Sequence, residues 1–177
     1  IFVIFLASQA CEERSADFVN LDNAQFDYTV LKNTNLQNRH TIKNFSSINT
    51  ILKGISYHTV VFCAWNFLET WLLCFSPSRS KNAFVLESSI KDSTHTGWKA
   101  LFKRILLSRI SVVFASGQMQ KELLKALKYN GEIIETHGVG IINKPRNTIS
   151  QSHFSGKFIY VGRLVEIKNV QMLINIF

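Results

Sequence analysis

The chain has 177 residues, is 46% hydrophobic and carries a net charge of +8. That length and apolar content supply one sizeable core, or one core and the beginning of another. Two prolines and no low-complexity tract exclude a disordered protein. The chain starts at Ile1, and its last apolar segment, Val170 to Phe177, ends without a cap. It therefore reads as a fragment cut at both ends.

Strand-like apolar runs alternate with segments of helical period. Ile1–Ala7 is rich in β formers. Glu12–Ala24 reads as a helix with Phe18 and Leu21 on one face. Asp27–Leu31 is a β-branched run. Ser46–Leu52 has Ile48, Ile51 and Leu52 at helical spacing and ends at Gly54. Thr59–Ala64 reads as a buried strand, Phe67–Phe75 as a helix and Ala83–Leu86 as a short strand. Trp98–Ser108 places Trp98, Leu101, Phe102, Ile105 and Leu106 on one face. That face is expected to cover the sheet. Ser111–Ala115 is a strand and Gln118–Tyr129 a helix, with Asn130-Gly131 as its stop signal. Glu132–Thr136 is another strand. Strands separated by helices of this length predict an α/β fold with a parallel, doubly wound sheet. Residues 142–156 then turn polar, with Asn143, Pro145, Asn147, Ser150 and Ser152, and read as an interdomain linker.

The charge is uneven. Lys91, Lys99, Lys103, Arg104, Arg109, Lys121, Lys125 and Lys128 face only Asp92 and Glu122 within the stretch Lys91–Asn130. Such a basic region either meets an anionic partner or forms a solvated helix face. Nucleic acid is a poor partner, because the aromatic residues lie in apolar runs rather than among the basic ones. Cys11, Cys63 and Cys74 have no metal-ligand spacing, and no metal is expected. Cys63 and Cys74 lie in apolar runs and are expected as core thiols, which favours a cytoplasmic protein. The most apolar stretch, Val60–Phe75, is interrupted by Asn66 and Glu69 and falls short of the roughly 20 residues of a membrane span.

The most specific stretch is Phe158-Ile159-Tyr160-Val161-Gly162-Arg163-Leu164-Val165-Glu166-Ile167-Lys168. An apolar run breaks at Gly162, Arg163 follows, and Lys168 comes just before Asn169, a good N-cap for a helix from Val170. Two cations beside a helix N-terminus at the C-terminal edge of a strand suit a diphosphate. Gly162 lets the backbone approach a ligand closely.

This stretch resembles the start of the donor-binding domain in family-four glycosyltransferases of the GT-B fold. The resemblance extends at lower specificity to Glu13–Phe18, Phe26–Leu31, Leu86–Ser89, Thr94-His95, the Trp98–Arg109 helix, Phe114–Gly117 and Thr136–Ile141. It implies a Rossmann-like acceptor-side domain over 1–141, the linker over 142–156 and the truncated start of a donor domain over 157–177. It further implies that Arg163 and Lys168 bind the diphosphate of a nucleotide sugar. The chain departs from the family in having Asn169 where a Gly is usual, and Ala7-Ser8-Gln9-Ala10 where many members have a Gly-Gly turn. The paired glutamates of the family's donor domain would fall beyond Phe177.

Two further residues are candidates for the acceptor cleft. His95 lies in the polar loop Lys91–Gly97 after a strand, and Glu87 stands at that strand's end. Such loops line the cleft of doubly wound folds. His137 precedes a glycine near the crossover. His40, His58 and His153 have no supporting context.

The resemblance thus implies retaining sugar transfer to a glycan or lipid-linked acceptor in bacterial surface polysaccharide or lipopolysaccharide assembly. A nucleotide diphosphate sugar is the donor and no cofactor is needed. The fragment alone is expected to be inactive. Peripheral contact with an anionic membrane through Lys91–Asn130 would suit a lipid-linked acceptor. The alternatives are a nucleotide-sugar epimerase of the same fold and a non-catalytic α/β module that binds anionic surfaces.

Overall fold

The first strand, β1 (Phe2–Phe5), pairs in parallel with β2 (Asp27–Val30), with Phe2 opposite Asp27 and Phe5 opposite Val30. The computed structural model describes residues 1–8, 21, 24–31, 36–77, 79–136, 160, 161 and 169–176. The chain divides into two compact units, Ile1–Gly140 and Ile141–Phe177.

In the first unit, helix α1 (Thr41–Gly54) leads to a second sheet. Its strands are β3 (Val60–Cys63), β4 (Asn82–Leu86), β5 (Val112–Ala115) and β6 (Glu132–Glu135). They lie in the order β3-β4-β5-β6, and every pairing is parallel. A parallel neighbour cannot be reached by a tight turn, so β3, β4 and β5 are each followed by a helix that returns the chain. These are α2 (Leu68–Leu73), α3 (Gly97–Leu107) and α4 (Gln118–Ala126). The fold is α/β, a parallel sheet flanked by helices in the Rossmann-like manner, as the alternation of runs predicts.

The core sits under the two central strands. Phe84 and Leu86 of β4 and Val113 and Ala115 of β5 are buried, against Leu106, Leu107, Leu123, Leu124 and Leu127 from the helices. Each of the large residues contributes about 1.5–3 kcal/mol through its removal from water. Asn82, fully buried at the start of β4, donates from Nδ2 to Cys74 O (2.7 Å) and Arg109 O (2.9 Å). One amide thereby holds the chain after α2 and the chain after α3 at the same edge of the sheet.

Several expectations need correction. Thr59–Ala64 was expected as a buried strand, but β3 is the edge of its sheet, with Phe62 buried and Val61 and Cys63 exposed. Cys63 is therefore not a core thiol, whereas Cys74 is buried. The helix expected over Ser46–Leu52 runs from Thr41 to Gly54. The stripe Trp98, Leu101, Phe102 and Ile105 does not cover the sheet. It faces outward, and α3 buries Ala100, Leu106 and Leu107 instead.

Helix α4 also ends before Asn130-Gly131. Lys128 takes φ +58°, its N–H donates to Lys125 O (2.9 Å), and the Tyr129 N–H donates to Leu124 O (3.0 Å). This is a Schellman stop built on a lysine rather than a glycine. Gly131 is needed for space. A Cβ there would lie 2.6 Å from Ser111 O and would overlap the Tyr129 side chain.

The helix expected over Glu12–Ala24 falls outside the described residues, apart from Leu21 and Ala24. In the second unit, the helix expected from Val170 forms as α5 (Val170–Ile176). The expected linker and most of the expected strand before Gly162 lie outside the described residues.

Candidate functional site

The loops that follow β3 and β4 meet at the C-terminal edge of the four-stranded sheet. After β3 the chain turns through Ala64 at φ +63°, an unfavourable angle for a residue with a side chain. Two groups from α2 hold it there. Thr70 Oγ1 donates to Ala64 O (3.2 Å), and Trp71 Nε1 donates to Trp65 O (2.7 Å). Trp65 is thereby fixed, and its ring stacks on Phe84 of β4 with centroids 5.7 Å apart.

Lys103 of α3 reaches over this ring. Its Nζ lies 4.7 Å from the Trp65 ring centre and donates to Ser93 Oγ (2.6 Å) and Thr94 O (2.7 Å). Burial, and secondarily the charge of Lys99, lowers the Lys103 pKa below its usual value. The loop between β4 and α3 has its own ties. Ser89 Oγ donates to Asp92 Oδ2 (2.5 Å), and the Asp92 N–H donates to Ser89 O (3.2 Å).

His95 stands on the part of this loop that Lys103 holds. It is half-buried, and its Nδ1 lies 3.2 Å from Ser93 O. The tautomer protonated at Nδ1 donates that bond and leaves Nε2 as an acceptor for a hydroxyl. Glu87 is exposed at the end of β4, and its backbone carbonyl accepts from Gln120 Nε2 (2.8 Å). Although Cys63 is exposed on the sheet edge, the surrounding strand end still partly screens its thiol from water, and this, followed by the negative charge of Glu87, pushes its pKa above the ordinary value. Glu87 and His95 share one loop, but among the described residues no hydrogen bond joins them.

Beside this edge, a largely apolar cleft of about 1080 Å³ opens between β1 and β3. Two buried polar atoms belong to residues that line it. Ser8 Oγ and Glu69 Oε2 have no hydrogen-bond partner among the described residues. The other oxygen of Glu69 accepts from Arg39 Nε at 2.9 Å. A buried acceptor without a partner is costly.

Gly162, Arg163 and Lys168, the expected diphosphate ligands, lie outside the described residues, as does His137. Sequence reasoning missed Trp65, Lys103 and Glu69 as site residues. Trp65 stands in an apolar run, Lys103 counts only toward the basic charge, and Glu69 reads as an interruption of the most apolar stretch. That interruption was a usable signal, because an acidic residue inside an apolar helix needs a partner. Among the described residues no group of three or more His, Cys, Asp or Glu is placed to hold a metal ion.

No protein-family model matches the chain, and no curated protein or solved structure matches it.

Proposed function

We propose that this chain is the acceptor-side part of a retaining GT-B glycosyltransferase, followed by the beginning of its donor domain. The enzyme transfers a sugar from a nucleotide diphosphate sugar to a glycan or lipid-linked acceptor. The observation that supports the reading is the cleft between β1 and β3, lined mainly by apolar side chains with Ser8 and Glu69 among them, whose Oγ and Oε2 are buried without a hydrogen-bond partner among the described residues. A mainly apolar wall with a few unsatisfied acceptors suits a ligand that presents both C–H faces and hydroxyls, as a sugar does.

His95 Nε2 and the Glu87 carboxylate would supply further hydroxyl partners on the adjacent loop. Arg163 and Lys168 would neutralise the departing diphosphate, with Gly162 admitting it close to the backbone. The setting that fits is the cytoplasmic face, in bacterial surface polysaccharide or lipopolysaccharide assembly.

The test is transfer from a panel of nucleotide diphosphate sugars by the enzyme that contains this chain. Replacing Arg163 with Ala should lower turnover on the order of 10²–10³-fold, as loss of a charge-stabilising donor does elsewhere, and should leave the melting temperature unchanged. Unchanged kinetics in that variant would remove the assignment.

A further inference from the structure

A recess of about 210 Å³ opens at the N-terminal edge of the four-stranded sheet, opposite the loops that follow β3 and β4. Its lining residues come just before the starts of β4, β5 and β6. Leu107 at the end of α3 and Leu127 just after α4 form its apolar part. Arg79, Arg104, Lys128 and Tyr129 form its polar part. Arg79 comes from the turn before β4, Arg104 from the last turn of α3, and Lys128 from the left-handed stop of α4. Three connections thus bring one cation each to a single spot.

The helix ends alone do not account for this charge. A helix C-terminus carries about half a negative charge, which draws cations to it. Helices α3 and α4 both end here, so together they offset about one of the three positive charges. Among the described residues no Asp or Glu lines the recess, and the ion pairs Arg39–Glu69 and Lys121–Glu135 lie elsewhere. Glu132, exposed at the start of β6, acts through its charge on Tyr129. With Glu132 counted about one positive charge is left over, and without it about two.

The donors are underused as well. Arg79 Nε donates to Ile110 O at 3.4 Å and Arg104 Nη2 to Ala126 O at 3.5 Å, both at the long limit of a hydrogen bond. Arg104 Nε is buried and has no hydrogen-bond partner among the described residues. The Tyr129 hydroxyl has one proton and two distant acceptors, Ile110 O (3.5 Å) and Glu132 O (3.4 Å). A guanidinium carries five N–H donors in a planar fork, so those of Arg79 and Arg104 can serve a further acceptor.

We infer that this recess binds a phosphate group, either free or as a phosphomonoester. The two guanidiniums hold its oxygens, Lys128 adds a point charge, and Tyr129 donates a further hydrogen bond. A phosphomonoester carries about −1.5 to −2 at neutral pH, which matches the charge left over. The inference does not rest on the glycosyltransferase reading, because none of these residues lines the cleft between β1 and β3 or takes part in the proposed transfer.

The test is calorimetric titration of the full chain with inorganic phosphate and with glycerol 3-phosphate, against sodium chloride at equal ionic strength. One phosphate per chain is expected, together with a raised melting temperature. Arg79→Gln and Lys128→Gly alter exposed residues, so they should keep the fold and weaken binding by roughly tenfold or more, as loss of a charged hydrogen bond does. Lys99→Gln removes an exposed charge elsewhere on α3 and should leave binding unchanged. Tighter binding of glycerol 3-phosphate assigns the recess to a phosphomonoester, and tighter binding of inorganic phosphate assigns it to the free ion. The absence of saturable binding by either would overturn the inference. So would equal losses in Lys99→Gln and Arg79→Gln, because the anion would then follow net charge alone.

Discussion

The ammonium of Lys103 lies 4.7 Å from the centre of the Trp65 ring, although the two residues come from different helix–strand connections. The contact joins the loop after β3 to the helix that follows β4. Helix α3 turns Ala100, Leu106 and Leu107 into the core. Lys103 is half-buried beside them, where Ser93 Oγ and Thr94 O accept its hydrogen bonds and the Trp65 ring lies under its charge. The aromatic stripe of α3 faces out.

Replacing Lys103 with Met keeps the aliphatic stem and removes the two charged hydrogen bonds. Stability should fall by about 1–2 kcal/mol, less than two ideal charged bonds because burial already disfavours the ammonium. The amides of Ser93 to His95 should exchange faster with solvent. Denaturant midpoints and hydrogen exchange measure both effects. A variant as stable as the native chain, with unchanged exchange, would show that the loop holds itself.

Lys128 and Gly131 exchange the roles that residue type suggests. Lys128→Gly relieves a left-handed angle at the end of α4 and should stabilise the fold by about 1 kcal/mol. Gly131→Ala puts a methyl group against Ser111 O and the Tyr129 ring and should destabilise by about 1–3 kcal/mol. Thermal unfolding of the two variants should therefore shift in opposite directions. A lower melting temperature for Lys128→Gly would contradict strain in the left-handed turn at Lys128.

Alkaline pH should weaken the fold from about pH 9 upward. Burial pushes the Cys74 thiol up to about 11 against the opposing charge of Arg109. Burial pushes the Tyr129 hydroxyl up to about 12, with Glu132 adding to the rise and Arg79 opposing it. In the unfolded chain these groups lose their protons at ordinary values, near 9 and 10. The folded chain therefore holds more protons across this window, and stability falls as pH rises through it. Below pH 9 the two groups add no slope. Tyr129→Phe should flatten the upper part of the curve. A melting temperature that stays level or rises between pH 9 and 12 would contradict the burial of both groups.

Much of the first unit was legible in the sequence. The runs Thr59–Ala64, Ala83–Leu86, Ser111–Ala115 and Glu132–Thr136 alternate with helical segments and predict the parallel sheet that forms over Val60–Cys63, Asn82–Leu86, Val112–Ala115 and Glu132–Glu135. Strand positions are set by local preference and apolar content, which a sequence carries. Glu87 and His95 could likewise be placed at the strand's end and on the loop beyond it from chain position alone.

The sequence did not tell which face of a helix turns inward. The period of α3 offers the wide apolar stripe Trp98, Leu101, Phe102, Ile105 and a narrower one through Ala100 and Leu107, and both are visible in the letters. Which of them is buried was decided by packing: Ala100, Leu106 and Leu107 went into the core, and Lys103 found acceptors at Ser93 and Thr94 and the ring of Trp65, brought from another connection. Cys63 became an exposed edge residue because β3 has β4 on one side and the cleft on the other. Glu69 became a cleft residue because Arg39 came to meet one of its oxygens and nothing described meets the second. Alternation and composition are properties of neighbouring residues, so the sequence by itself determined the fold class. Pairing between distant side chains, and the exposure that results, is decided only when the chain closes on itself, so the site and the apolar surface belong to the tertiary structure.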